Sequence, residues 1–170
     1  VQTCALPISV KEGQDQFIEF KVELSHAATT PIAVNLALQS GVDDPATPEN
    51  ESGTPGLDTT GNLQVEVSPG VWVDVTGPLT FAPGQTELHV RVALVDDNIA
   101  EPLEYIKLAA TVTTGADIVM NTSATNQVAV EDNDAPPTVT SVEPGQPGAA
   151  DDSVTEGSSL VYTVTLSNPA

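Results

Sequence analysis

An all-β fold, an antiparallel two-sheet β-sandwich of seven or eight strands, is what this sequence predicts, and three observations carry the prediction. Apolar residues recur with a period of two in one segment after another, the spacing that lines a single face of a strand. Hydrophobic residues make up 39% of the chain but aromatics only 4%, so Val, Leu, Ile and Ala dominate, with 14 Pro and 12 Gly punctuating the segments. No segment of useful length shows the 3.6-residue period of a helix.

The elements follow in order. Residues 1–8 (VQTCALPI) read as a non-native leader resembling a translated adapter, which would empty Cys4 of meaning. An ordinary first strand through Ala5, Leu6 and Ile8 is the other reading. Ile18, Phe20, Val22 and Leu24 then alternate with Glu19, Lys21 and Glu23, and Ile32, Val34, Leu36 and Leu38 with Ala33, Asn35 and Ala37. Leu63–Val67 and Val71–Val75 flank Ser68-Pro69-Gly70, a hairpin turn. Leu88, Val90, Val92 and Leu94 form the next stripe, then Ile106, Leu108, Ala110 and Val112, then Asn126–Asp132. Strands of this length with turn signals between them pack as two sheets.

A repeat organises the chain. SVKEGQDQFIEFKVELS (Ser9–Ser25) returns as SVTEGSSLVYTVTLS (Ser153–Ser167), with two residues fewer between Glu-Gly and the strand. The stretch 135–152 between them is rich in Pro and Gly. The expected domains are therefore a leader at 1–8, a sandwich at 9–134, a linker and start of the next repeat at 135–152, and the first strand of a second repeat at 153–170. Residues 138–170 are too few for a sandwich, so they are expected to be partly frayed or packed on the first unit. The whole reads as a slice of a tandem array.

Charge narrows the function. Twenty-four Asp and Glu against 4 Lys and Arg give a formal net charge of −20, which disfavours nucleic acid and anionic membrane surfaces and favours cations. No apolar run approaches a membrane span. The single cysteine excludes an internal disulfide and a cysteine-based zinc site. Asp96, Asp97, Glu101 and Glu104 crowd into nine residues with no basic residue among them, at the mouth of the Ile106–Val112 stripe. Like charges packed there gain from a bound cation, and calcium accepts six to eight oxygens in irregular geometry. A solvated acidic face, screened by salt, is the other reading.

Taken together, VKEG with the strand ending in VELS, PGLDTT, LTFAPGQTELHVRVALVDDNIAEPLEYIKL and VEDND resemble a Calx-β domain, over roughly 9–134 and again from 138. The variety is similar to the extender repeats of bacterial type I-secreted, RTX-type adhesins. The resemblance implies an immunoglobulin-like sandwich with calcium at one pole, acting as a repeated spacer in a secreted or cell-surface protein. The partners it implies are neighbouring repeats of the same chain, in a monomer. Carried over by position, the metal ligands are Glu12, Asp58, Asp96, Asp97, Glu101, Glu104, Glu131, Asp132 and Asp134, enough for more than one ion. The turn around Asp96–Glu104 is expected to join two neighbouring core strands. Thr59 stands after Asp58 where the family usually has an aromatic, so Asp43, Asp44, Glu49 and Glu51 stay open as alternatives for the loop acid.

Catalysis is not expected. His26 and His89 are the only imidazoles, both expected at exposed strand positions, and no nucleophile elbow or phosphate loop is present. Paired carboxylates could hydrolyse a glycoside, but sugar sites are usually lined with aromatics, and this chain has one Trp, two Tyr and three Phe. The main reading is a non-catalytic, calcium-binding extender. Its rival is a carbohydrate- or protein-binding module using the 41–61 loop and Trp72, a residue that otherwise packs beside its turn. A domain of a secreted hydrolase, with catalytic residues elsewhere, is a third class.

Overall fold

A computed structural model describes residues 1–6, 9–41, 58–146, 148 and 153–168. Its strands are β1 (Gln2–Leu6), β2 (Ser9–Lys11), β3 (Phe17–Glu23), β4 (Ile32–Ser40), β5 (Gln64–Ser68), β6 (Val71–Asp74), β7 (Leu79–Phe81), β8 (Glu87–Ala93), β9 (Glu104–Thr114), β10 (Ser123–Glu131), β11 (Val139–Pro144) and β12 (Tyr162–Leu166). The chain forms two compact units, the first holding β1 to β10 and the second β11 and β12.

The first unit is a sandwich of two five-stranded sheets, ordered β1-β3-β8-β5-β6 and β2-β10-β9-β4-β7. All pairings in it are antiparallel except β2 with β10, which runs parallel. Alternation decides which side chains go inside. Ile18, Phe20 and Val22 of β3, Val90 and Val92 of β8, Val34 of β4, Ile106, Leu108 and Ala110 of β9 and Val128 of β10 are all buried between the sheets.

The loop from β8 to β9 departs from expectation. β8 belongs to one sheet and β9 to the other, so the acidic segment crosses the end of the sandwich instead of joining neighbouring strands. The antiparallel neighbours of β9 are β10 and β4. Gln2–Leu6 forms a strand against β3, with Thr3 opposite Val22 and buried. Val139–Pro144, within the stretch read as linker, is a strand as well.

Gly41 shows how tightly one edge closes. Its N–H donates to the Tyr105 carbonyl at 2.6 Å, and a Cβ built on it would lie 2.3 Å from Tyr105 Cβ and 2.6 Å from that carbonyl oxygen. Gly41→Ala must therefore push the backbone away from β9. The expected cost is about 1–3 kcal/mol, typical of overpacking a buried site, read as a lower urea midpoint with an unchanged slope.

The outer face of the first sheet carries two of the chain's few cations. Lys21 lies 2.6 Å from Glu23 and 3.7 Å from Glu87, and the hydrogen bond to Glu23 holds its pKa above the usual lysine value. The Arg91 guanidinium lies 3.7 Å from the Phe17 ring centroid and 4.3 Å from that of Trp72, while its Nε donates to Gln64. This stack pins the β5–β6 hairpin across the sheet.

Candidate metal centre

The pole where β2 and β10 end and β3 and β9 begin is acidic for a reason of strand phase. On β9 the inward stripe reads Glu104, Ile106, Leu108, Ala110, all buried. On β2 it reads Val10 and then Glu12, both buried. On β10 it reads Val128, Val130 and then Asp132, half-buried. Three neighbouring strands thus carry the core alternation one step further and finish on a carboxylate. Register puts the ends together: Val130 pairs with Glu104 on one side and Val10 on the other. The Glu12 N–H donates to the Glu131 carbonyl at 3.0 Å, which continues the parallel ladder and sets Glu12 level with Asp132.

The opposite sheet contributes Asp58. Thr59 bridges Leu94, the Val95 N–H donates to the Asp58 carbonyl at 3.0 Å, and the Thr60 N–H to the Ala93 carbonyl at 3.0 Å. This short ladder extends β8 and brings Asp58 into the pole, 7% exposed. Thr59, in place of an aromatic, is fully buried at 0% and accepts the Gly61 N–H on its hydroxyl. Asp58 and Glu104 each place a carboxylate oxygen within 4.8 Å of the other.

That spacing suits one calcium ion. Oxygens bound at 2.3–2.6 Å lie at most about 5 Å apart across the ion. Two carboxylates would supply part of its shell, and backbone carbonyls and water the rest. Ionised carboxylates at 4.8 Å repel each other by about 3 kcal/mol per pair at an effective dielectric of 20, a cost that a divalent cation reverses. No histidine takes part: His26 follows β3 at the other end of the unit, and His89 sits on the outer face beside Glu87. A cleft of about 1070 Å³ also lies at that other end, between Leu24–Thr30 and the segment from Ile118 to Asn126, and no carboxylate lines it.

The remaining candidates are placed as follows. Asp96 is exposed, and its Oδ1 accepts from Asn133 Nδ2 at 2.9 Å. Asn133 is a polar group of the pole that the sequence reading passed over, although it stands inside the acidic run ending β10. Asp97 is exposed and accepts the Ile99 N–H on its own carboxylate at 2.7 Å, as turn residues do. Glu131 is exposed, on the phase opposite to Val130. Glu101 and Asp134 are half-buried and belong to the second unit. Asp43, Asp44, Glu49 and Glu51 lie outside the described residues, as does most of the 41–61 loop. Trp72 is half-buried with Arg91 over its ring.

Gly13 closes the turn that aims Glu12. Its φ is +66°, and an added Cβ would fall 2.2 Å from Asn133 Nδ2 and 3.1 Å from Asp96 Oδ1. The Glu-Gly pair is thus one device: a carboxylate on the inward phase, then a left-handed residue without a side chain.

Comparison with known proteins bears on the fold. The chain resembles the crystal structure of CBD12 from CALX1.2, with TM-score 0.51 and 20% identity, covering 79% of this chain and 46% of that one. It likewise resembles the calcium binding domain CBD12 of CALX1.1, with TM-score 0.51 and 20% identity, covering 83% of this chain and 50% of that one. The chain thus spans about half the length of these two solved chains. Their likeness shows a Calx-β-like, immunoglobulin-like sandwich. No family model and no curated protein matches the sequence.

Proposed function

We propose that the first unit binds calcium at its acidic pole and that the chain is a non-catalytic spacer repeat of a large secreted or cell-surface bacterial adhesin. One observation carries the reading: inward stripes of β2, β9 and β10 all end on carboxylates at one end of one sheet, with Asp58 opposite. A core that finishes on acids at a single pole is built around a cation. The Calx proteins of similar fold, one of them described as a calcium binding domain, lend support.

The mechanism follows from which elements the carboxylates occupy. Asp132 stands at the end of β10, and Ala135-Pro136-Pro137 follow it in sequence. An ion shared by β9, β10 and the Asp58 segment would fasten the strand from which the chain leaves the unit. Two prolines hold the next residues extended. Successive repeats would then lose hinge freedom and form a stiff, monomeric rod whose partners are its own neighbouring repeats. Calcium is plentiful outside the cell, so the stiffening would follow export.

Calorimetric titration of the 170-residue chain with calcium, and with magnesium as control, tests the reading. Saturable calcium binding that magnesium does not reproduce is the expected result, because magnesium demands a tighter octahedron and sheds water reluctantly. No heat of calcium binding, at concentrations up to the millimolar range, would overturn it.

A further inference from the structure

The acidic run that ends β10 holds one uncharged side chain. From Glu131 to Asp134 the sequence reads Glu-Asp-Asn-Asp, so Asn133 breaks a row of carboxylates. Its Nδ2 donates to Asp96 Oδ1 at 2.9 Å, and both residues are exposed. The bond lies against Gly13, where an added Cβ would fall 2.2 Å from Asn133 Nδ2 and 3.1 Å from Asp96 Oδ1. Three segments of the first unit thus meet at one hydrogen bond: the turn after Glu12, the segment leaving β8 and the end of β10 beside Asp132.

The chemistry of the two groups decides which end of the amide faces Asp96. An ionised carboxylate only accepts, so the N–H end of the amide meets it and the carbonyl end cannot. Calcium asks for the reverse, an oxygen. Asparagine serves both conditions, because rotating its amide exchanges donor for acceptor. An aspartate in its place would serve only the second. With no cation near, it would set a further negative charge against Asp96.

We propose that Asn133 is a positioning residue that stands in for a cation at Asp96. In the metal-free chain its amide tempers the charge of Asp96 and ties the end of β10 to the segment leaving β8. When calcium binds the pole, the amide gives up that bond. The exchange rests on the calcium reading above. The tie is a property of the chain in EDTA, so the two can fail separately.

Urea unfolding of the 170-residue chain in EDTA reads the tie, and calcium titration reads the exchange. Asn133→Asp should lower the urea midpoint in EDTA by roughly 0.5 M, since it replaces a charge-assisted hydrogen bond by a like-charge contact. The loss should shrink in about 1 M salt, where charges are screened within ~3 Å. The same substitution should bind calcium roughly tenfold more tightly or better, because the added carboxylate burdens the metal-free state and favours the bound one. A residue that merely held the fold would lower stability and affinity together. Asn133→Ala should lower the midpoint by less. With Asp96→Ala already in place it should cost nothing further, as expected of two groups that act as a pair. Unchanged midpoints in EDTA for both Asn133 substitutions would overturn the tie, and weaker calcium binding by Asn133→Asp would overturn the exchange. If the unsubstituted chain binds no calcium, the calcium reading and the exchange fall together, and the midpoints in EDTA still decide the tie.

Discussion

Glu104→Leu is expected to make the first unit more stable in EDTA and to abolish its stabilisation by calcium. Position 104 continues the inward stripe of Ile106, Leu108 and Ala110 and is 8% exposed, so leucine completes a core row that a carboxylate interrupts. It also takes one charge out of the Asp58–Glu104 pair, whose oxygens lie within 4.8 Å. Relief of like-charge repulsion and completion of the apolar row both act to stabilise the metal-free chain. The unsubstituted chain should behave in the opposite sense. Calcium at about 100 times its dissociation constant should add about 2.7 kcal/mol, and at 1,000 times about 4.1 kcal/mol, because it binds only the folded state. The substituted chain should lose that increment. Urea midpoints with EDTA and with calcium check both halves, with Glu131→Gln as control on the outward phase. A Glu104→Leu chain still stabilised by calcium would remove Glu104 from the site. A chain weakened in EDTA would show that the carboxylate supports the fold by itself.

The phase of Glu104 could have been read from the sequence, and so could most of the sandwich. Alternation alone located β3, β4, β5, β6, β8, β9 and β10, because each buries one face and a single residue of slip would turn that face to water. It passed over β2 and β7, which are three residues each and too short to show a period. It could not divide the strands between sheets. β8 and β9 follow each other in sequence yet lie in different sheets, and nothing local in Val95–Leu103 records the crossing. Val139–Pro144 was hidden among Pro136, Pro137 and Gly145, because its pairing partner is a strand some twenty residues downstream. The acids of the pole were found as a cluster by resemblance. What sorts them is phase: Glu12, Glu104 and Asp132 follow the inward stripes, whereas Glu131 sits on the other face and Asp97 turns back on its own loop. Val71 and Val73 show the limit of alternation, since they share the stripe of Val75 yet remain 50% and 43% exposed at the sheet's edge.

Phe20→Ala and Tyr162→Ala should part company, although the two residues hold the same place in the repeat. Phe20 is 1% exposed between the sheets, flanked by Ala5 and Val90 on the neighbouring strands. Truncating it removes a large apolar surface and leaves a cavity that the two sheets can close only in part. The expected loss is about 3–5 kcal/mol, a large share of the roughly 5–15 kcal/mol by which a domain exceeds its unfolded state. Tyr162 is 57% exposed, so its truncation creates no cavity, and the expected change is within about 0.5 kcal/mol. Urea unfolding followed by Trp72 fluorescence reports the first unit, and hydrogen exchange at Val142 and Val164 reports the second. A Tyr162→Ala loss as large as that of Phe20→Ala in the 170-residue chain would mean that the face of β12 is covered and that exposure does not set the cost at this position.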